Sequence, residues 1–466
     1  MGTGCMEAKA WAETEFGRVK LGDERRRKRL IRVAASLAEC PSGTLPSAFR
    51  EAQDLKAAYR FFGNEAVTYG EVTKSHRERT AEACRVPGEY LLIEDTTELD
   101  FTGHPAVRGL GRIGNDGGLG LYLHSTLAAR IERWTGDQEP EADLVGLFAQ
   151  HVWARTRTRR CRQERKGDRL RRSRESQRWA AAVEASGGPP PGTKWTYVAD
   201  RESDIYEVFA RCRRGRTDFI VRANQARALA EEGHSVFEAV AAAPVLGQFS
   251  LALRARPGRP ARTARLEVRA IAVRLRGPQR PGGRPDPIPV NVVEAREIDA
   301  PAGLEPLRWV LLTSWPCETF DQALRVVKTY ARRWLMEEYH KALKTGAHIE
   351  ESQLSTAAQI QALLGVLAVV AVRLLKLKML AAYRGDEAVA EEALEPEAWA
   401  ILEASCGKPR AGWTHRSLLV AIARLGGFLA RKSDGNPGWI TIWRGWQRLT
   451  LMAQGAALLL RRQNCG

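Results

Sequence analysis

Three acidic residues stand where the surrounding pattern predicts a fixed position in the fold. Asp95 follows the apolar residues 90–93 and Asp200 follows the apolar residues 195–199, so we expect both carboxylates at the ends of buried strands. Glu337 lies on a predicted helix further along the chain. If the two strands are neighbours, their carboxylates repel each other and need a cation between them. The alternative is that Asp200 has only a structural role and caps the helix that follows.

Two Asp and one Glu offer hard oxygen ligands, which Mg²⁺ and Mn²⁺ prefer. Two such ions roughly 4 Å apart stabilise both the attacking and the leaving oxygen of a displacement at phosphorus. The set therefore predicts a two-metal site on a ribonuclease-H-like sheet, with Asp95, Asp200 and Glu337 as catalytic residues and metal ligands. Neighbouring acids that could replace one of them are Glu202, Asp204 and Glu338.

The stretch around Glu337 contains no Gly or Pro from residue 330 to residue 344, which predicts one long helix. At about 100° per residue, one face of it gathers a phenol, a carboxylate and three cations. These residues are Tyr330, Arg333, Glu337, Lys341 and Lys344. Leu335, Tyr339 and Leu343 fall on the opposite side and can face a core. The alternative is a solvated helix face laced with salt bridges.

Strand patterns dominate the middle of the chain. Residues 90–101, 120–130 and 144–155 predict an antiparallel meander, and residues 195–199 and 217–225 predict two more strands. Residues 224–306 are rich in Arg, Pro and Gly with short alternating runs, which predicts a β-rich insertion before the Glu337 helix. The alternation changes phase between Ala270 and Ile271, which suggests a β-bulge.

Helical patterns flank these strands. Residues 356–382 form a long apolar helix, with a looser acidic segment at 386–403 and a helix ending near Gly426. Trp439, Trp443 and Trp446 come next, spaced for a core or a partner interface. We divide the chain into residues 1–89, 90–380 and 381–466 as helical N-terminal, catalytic and helical C-terminal domains.

The N-terminal segment concentrates positive charge. Asp23 can cap a helix whose first turns carry six cations from residue 25 to residue 32, and Tyr59 and Arg60 follow on a second helix. Cations at a helix N-terminus oppose its dipole, and a phosphate partner would explain them. Contact with DNA and a merely solvated basic face are the two interpretations. We name Arg26, Arg27 and Arg60 as DNA contacts.

Composition agrees with a polyanionic partner. The 466 residues carry 72 Lys+Arg against 55 Asp+Glu, a formal charge of +17, although many basic proteins never touch nucleic acid. Residues 155–174 hold eleven Lys or Arg and form either a solvated loop or a path for DNA phosphates. The eight Cys show no C-x2-C pair, which indicates reduced thiols. We expect no secretion signal and no membrane span, because the most apolar run covers 11 residues.

The spacing Tyr-x2-Arg-x3-Glu-x6-Lys resembles the signature of the insertion-sequence-four family of DDE transposases, the family of the transposon-five transposase. Further motifs match in order: LGDERRRKRL, AAYRFFGN, IEDTT, ADRESDIY, RWVLLTSWP, HKALKTGA and AIARLGGF. The resemblance covers roughly residues 11–454. The Arg-rich stretch is longer and more basic than the family pattern, and residues 386–409 match weakly.

The resemblance implies a cut-and-paste enzyme that cleaves transposon ends through a DNA hairpin and joins them to target DNA. It implies two Mg²⁺ ions, with Mn²⁺ accepted, and a homodimer on DNA in the bacterial cytoplasm, associated with the nucleoid. By the same resemblance, Tyr330, Arg333 and Lys344 contact DNA phosphates, with Lys341 beside them. Trp309 would stack on a flipped base. Without the resemblance, Trp309 is an ordinary strand residue.

Two other functions stay open. One is a structure-selective nuclease of the same fold that is not mobile, and the other is a catalytically inactive DNA-binding relative. A basic N-terminal module and a C-terminal interaction region argue against the first, because such a nuclease needs neither. Terminal inverted repeats around the coding region would favour the transposase.

Overall fold

A computed structural model describes residues 8–463 apart from 41–43, 50, 115–116, 135–138, 156–176, 232, 254–260, 281, 390–393, 395 and 432–433. Except for Arg155, the Arg-rich stretch 155–174 therefore lies outside the described residues, and its two interpretations stay predictions. The described cysteines are all free thiols, as expected: Cys40, Cys84, Cys212, Cys317 and Cys406.

Helices build the N-terminal part of the chain. They are α1 (Ala8–Phe16), α2 (Glu24–Glu39), α3 (Leu45–Ala48), α4 (Ala52–Phe62) and α5 (Tyr69–Ala83). Asp23 caps α2 as predicted, since its side chain accepts a hydrogen bond from the Arg25 backbone. The apolar face of α2 is buried through Leu30, Val33 and Leu37. Helix α1 was not predicted, and it packs Trp11 and Phe16 into the same core.

The described strands form one ten-stranded mixed sheet in the order β2-β3-β1-β5-β6-β10-β9-β8-β7, with β4 paired to β3. The strands are β1 (Gly88–Asp100), β2 (Gly111–Ile113), β3 (Gly118–Arg133), β4 (Glu141–Trp153), β5 (Thr193–Ala199), β6 (Asp218–Arg222), β7 (Val245–Leu253), β8 (Arg262–Leu275), β9 (Ile288–Ile298) and β10 (Arg308–Thr313). The predicted meander is β1, β3 and β4. The central strands β1, β5 and β6 are parallel, and the other pairs are antiparallel.

Asp95 does not end its strand, contrary to the sequence-based expectation. β1 runs alongside β5 only as far as the pair Glu94↔Ala199, and then continues to Asp100 against β3 alone. Asp95 therefore lies in the middle of β1, at the level where β5 stops. Asp200 follows the last residue of β5 directly. The two Asp residues are neighbours because β1 and β5 are adjacent and parallel.

The predicted β-rich insertion is part of the main sheet. β7, β8 and β9 extend the sheet beyond β10, and the Ser235–Ala243 region supplies a short helix, α8 (Val236–Ala242). The predicted bulge between Ala270 and Ile271 is wrong, because β8 pairs with β9 without interruption from Arg265 to Leu275. A register shift occurs instead in β7, between Val245 and Gly247.

The stretch from Tyr330 to Lys344 is not one helix, which corrects the prediction. Helix α9 (Phe320–Ala331) ends in a turn at Arg332, helix α10 (Trp334–Lys341) follows, and a π-helical turn (Ala342–Gly346) completes the stretch. The other helices between β4 and β6 are α6 (Gln177–Ser186) and α7 (Tyr206–Arg214). Leu335, Tyr339 and Leu343 are fully buried, as the periodicity predicted.

Helix α11 (Ala357–Tyr383) is the apolar helix predicted for residues 356–382. It is long and apolar enough to cross a membrane, but 83% of its most apolar window is buried inside the protein, as in a core helix. The C-terminal helices are α12 (Pro396–Cys406), α13 (His415–Leu425) and α14 (Trp439–Gln463). The segment 386–403 is thus partly helical rather than loose throughout.

Helices α13 and α14 cross at very close range. A Cβ on Gly445 of α14 would lie 1.7 Å from the Ile422 carbonyl oxygen of α13, so only glycine fits there. Trp439 and Trp443, on the first turns of α14, are buried against the main core rather than exposed. The C-terminal helices are therefore packed onto the same body that carries the sheet.

Candidate active site

The guanidinium of Arg333 lies among the three acidic residues singled out from the sequence. Its Nη1 donates to Asp95 Oδ2 at 3.1 Å, and its Nη2 donates to Glu337 Oε1 at 2.5 Å. The same Nη2 lies 3.8 Å from Asp200 Oδ2. The structure therefore brings Asp95, Asp200 and Glu337 together around one cation, as the sequence analysis required of a shared site.

The turn between α9 and α10 sets the direction of this guanidinium. Arg332 is buried and forms an ion pair with Glu139 at 3.2 Å, so it is held away from the acidic residues. The next residue, Arg333, points into them with a side chain that is 14% exposed. Glu337 lies one helical turn further along α10, where the i,i+4 spacing brings it back to Arg333.

Burial and mutual repulsion dominate the electrostatics of the acidic group. Burial raises the pKa of Asp95, the charge of Asp200 raises it further, and Arg333 opposes both effects. Burial and the nearby Asp95 likewise raise the pKa of Glu202. Burial alone would lower the pKa of Arg333, yet its anionic neighbours raise it overall. The acidic group therefore favours a bound cation.

A buried polar network lies directly behind Asp95, and sequence reasoning missed it. Glu94 accepts hydrogen bonds from Thr126 at 2.8 Å and from Tyr197, and its Oε2 is 3.1 Å from His124 Nε2. His124 Nδ1 in turn lies 3.0 Å from Thr96 Oγ1. The sequence did contain a signal for this network. Glu94 directly follows the apolar residues of the predicted strand and precedes Asp95 in the motif IEDTT, so a buried acid could have been expected there. The network ties β1 to β3 and β5 at the level of the acidic group.

The residues of the predicted DNA-contact face separate into two groups. Tyr330 donates from its hydroxyl to Asp200 Oδ1 at 3.2 Å, and Trp309 on β10 lies edge-on to the Tyr330 ring with centroids 5.7 Å apart. Lys344, on the π-helical turn, pairs with Glu350 at 3.2 Å. Lys341 instead pairs at 3.3 Å with Glu338, which is not one of the three acidic residues. The predicted single arc therefore holds for Tyr330, Arg333 and Glu337 but not for Lys341.

The acidic group suits divalent metal ions by its chemistry, although its present geometry is that of an ion-pair cluster. Among the described residues, no three His, Cys, Asp or Glu side chains stand at metal-ligand spacing. The oxygens of Asp95 and Glu337 accept hydrogen bonds from the guanidinium of Arg333, which stands in for a metal cation. Carboxylate oxygens around a cationic centre are the donor set that Mg²⁺ and Mn²⁺ require.

The cations of α2 face two ways. Arg26 donates to the Leu21 carbonyl oxygen and Arg27 to that of Gly17, both at 2.8 Å, so these two predicted DNA contacts also hold the α1–α2 turn. Arg25, Lys28 and Arg32 are exposed on the same helix. On α4, Tyr59 and Arg60 are exposed, as a contact surface requires. The outward cations of α2 were within the predicted basic run but were not singled out.

Comparison with known families identifies both ends of the chain. A family model described as transposase DNA-binding matches residues 8–67, which cover α1 to α4 with their exposed cations. A second, described as the transposase Tn5 dimerisation domain, matches residues 369–464. The chain therefore carries a transposase DNA-binding domain and a Tn5-type dimerisation domain, which support a Tn5-like transposase. DNA and a second copy of the chain are therefore its partners. Membership of the insertion-sequence-four family stays a prediction.

The dimerisation match begins at residue 369, inside α11, whereas the sequence predicted a C-terminal domain from residue 381. One helix thus joins the buried core to the dimerisation domain. A direct contact joins them again, because Trp439 of α14 donates from Nε1 to Glu338 Oε2 at 2.8 Å. Glu338 also binds Lys378 of α11. The neighbour of Glu337 on α10 is therefore held by the dimerisation domain.

Proposed function

We propose that this transposase cuts transposon ends and joins them to target DNA by metal-dependent phosphoryl transfer at Asp95, Asp200 and Glu337. The observation that carries the proposal is the convergence of these three carboxylates on one cationic centre. The two transposase domains that flank the sheet supply the DNA and the second copy that such a reaction needs.

By their chemistry these carboxylates would suit two Mg²⁺ ions, with Mn²⁺ accepted in their place. Asp95, Asp200 and Glu337 would hold them. When bound, such ions make a water or a 3′-hydroxyl a stronger nucleophile and stabilise the leaving oxygen. Arg333 and Tyr330 would orient the phosphate groups of the DNA end, since they contact the same carboxylates. Lys344, on the π-helical turn after α10, would add a further phosphate contact. The buried Glu94–His124 network fixes β1 so that Asp95 keeps its direction.

Binding of the transposon end would begin on the N-terminal helices. We expect the triple variant Arg25→Gln, Lys28→Gln and Arg32→Gln to bind a labelled end more weakly, because its exposed cations no longer neutralise phosphates. Each lost contact should reduce the slope of log affinity against log salt by about 1. Fluorescence anisotropy across a salt series measures both quantities.

The control for this experiment removes the same charge elsewhere. Arg213, Arg214 and Arg216 are exposed at the end of α7, outside the matched DNA-binding residues. Their triple Gln variant should keep both the affinity and the salt slope of the wild type. Equal losses in the two variants would show that net charge, and not the α2 surface, governs binding.

A hairpin intermediate requires an end base to leave its stack, which costs a few kcal/mol. Trp309 is half-buried next to Tyr330, beside the acidic group, and offers a stacking surface. Stacking on an aromatic ring contributes about 1–3 kcal/mol, so Trp309→Ala should form hairpins about 5- to 150-fold more slowly while nicking near the normal rate. Denaturing gels of labelled ends separate the two products.

Trp309→Phe is the matched control, because it keeps an aromatic face and should restore much of the hairpin yield. Hairpin formation at the wild-type rate by Trp309→Ala would return Trp309 to a packing role, with Trp334 as the next candidate. The same wild-type assay tests the function as a whole. Ends taken from inverted repeats around the coding region should yield nicked, hairpin and fully cut DNA in Mg²⁺.

A further inference from the structure

Arg333 occupies the centre that the proposed function assigns to metal ions. Its guanidinium contacts carboxylate oxygens of Asp95 and Glu337 and approaches Asp200. The side chain is only 14% exposed, so solvent screens these ion pairs weakly. Lys344, on the π-helical turn after α10, is paired with Glu350 instead. Arg333 is thus a counter-ion shared by the three carboxylates.

A guanidinium and a divalent ion cannot use the same oxygen lone pairs at once. Metal binding therefore requires Arg333 to give up its charge-assisted hydrogen bonds to Asp95 and Glu337. A DNA phosphate is the natural new partner, because the planar guanidinium binds phosphate and carboxylate with the same two-pronged geometry. Arg333 lies at the turn between α9 and α10, immediately before the first residue of α10.

We infer that Arg333 is an internal counter-ion that keeps divalent metal away from Asp95, Asp200 and Glu337 until a DNA phosphate draws its guanidinium off them. This inference rests on the proposed function, since it takes these residues as the metal ligands. Metal and DNA should then bind cooperatively, because each favours the arrangement in which the Arg333 guanidinium has left the carboxylates. A transposase without its DNA end would then hold no reactive site.

Mn²⁺ binding to the full-length protein without DNA tests the inference, by the loss of the free-ion signal in electron paramagnetic resonance. We expect Arg333→Gln to bind Mn²⁺ roughly tenfold or more tightly than the wild type, since hydrogen bonds to charged groups contribute on that order. Arg333→Lys keeps the positive charge and replaces the Gln variant in this test if that variant does not fold. Its affinity for Mn²⁺ should lie between those of the wild type and Arg333→Gln. Arg325→Gln removes one positive charge from α9, where Arg325 pairs with Glu89 outside the acidic group, and should bind Mn²⁺ as the wild type does.

Adding a duplex that carries the transposon end should raise the Mn²⁺ affinity of the wild type but change that of Arg333→Gln little. Binding to the DNA itself is subtracted with the Asp95→Asn, Asp200→Asn double variant. Equal Mn²⁺ affinity of wild type and Arg333→Gln without DNA would overturn the inference while leaving the metal site in place. Mn²⁺ binding by Arg333→Gln that survives Asp95→Asn and Asp200→Asn would instead overturn the ligand assignment beneath it.

Discussion

Asp200→Asn should lower the rate of end cleavage about 10³-fold or more while end binding stays at the wild-type level. A metal ion at the reacting phosphate contributes several kcal/mol, and each 1.36 kcal/mol is tenfold in rate. Asn keeps the shape of Asp200 and can still accept the hydrogen bond from the Arg201 backbone at 2.8 Å, so the strand end stays folded. Asp95→Asn and Glu337→Gln should behave alike, because the three carboxylates act as one set. A gel assay with labelled ends in Mg²⁺ measures nicking.

The matched control is Asp143→Asn on β4. Asp143 pairs with Arg384 at the surface and lies outside the acidic group, so its loss should leave nicking unchanged. Anisotropy with the same labelled ends separates cleavage from binding. Undiminished nicking by Asp200→Asn would remove Asp200 from the site and leave Glu202, its acidic neighbour, as the replacement ligand to test.

Glu15→Ala should lower the free energy of unfolding by about 3–5 kcal/mol, the loss typical of one partner removed from a buried ion pair. Glu15 is buried on α1, with Oε2 2.7 Å from His76 Nδ1 and 3.0 Å from Arg79 Nη1. His76 Nε2 accepts from the Leu147 backbone at 3.0 Å, so its Nδ1 carries a proton toward Glu15. The cluster joins α1 and α5 to β4. Urea unfolding curves measure the loss.

Glu15→Gln is the graded control. Its amide oxygen can still accept from His76, so it should lose less stability than the Ala variant. Burial by itself would raise the pKa of Glu15, but His76 and Arg79 lower it to about 2. Because the pKa of Glu15 is lower in the folded state than in the unfolded state, its ionised carboxylate stabilises the fold at pH values above the unfolded pKa of about 4.5. This stabilisation is lost as the pH falls towards the folded pKa of about 2.

The stability difference between wild type and Glu15→Gln should therefore be full above pH 5 and shrink as the pH falls from 4.5 to about 2. Unfolding curves at a series of pH values measure this difference. A difference that stays constant across the acid range would mean that the charge of Glu15 contributes nothing and that its hydrogen bonds alone matter.

The sequence by itself determined the elements and the identity of the acidic set. Apolar runs predicted β1 and β5, the Asp23 cap and the apolar face of α2 predicted that helix, and the pattern of residues 356–382 predicted α11. These features depend on contacts between residues close in the chain, so a local pattern contains them. The sequence also predicted that Asp95 and Asp200 would lie close together if their strands were adjacent, and β1 and β5 are adjacent and parallel in the structure.

Tertiary structure alone decided how the acidic set is arranged. Nothing in the local sequence breaks the helix at Arg332. The break coincides with an ion pair between the buried Arg332 and Glu139, which is distant in the chain. The same break places Arg333 among the carboxylates, whereas Lys341 pairs with Glu338. The pairing of β7–β9 with the main sheet depends likewise on β10, which comes later in the chain. Side-chain direction and strand order depend on contacts between residues that are distant in the chain, so local periodicity cannot predict them.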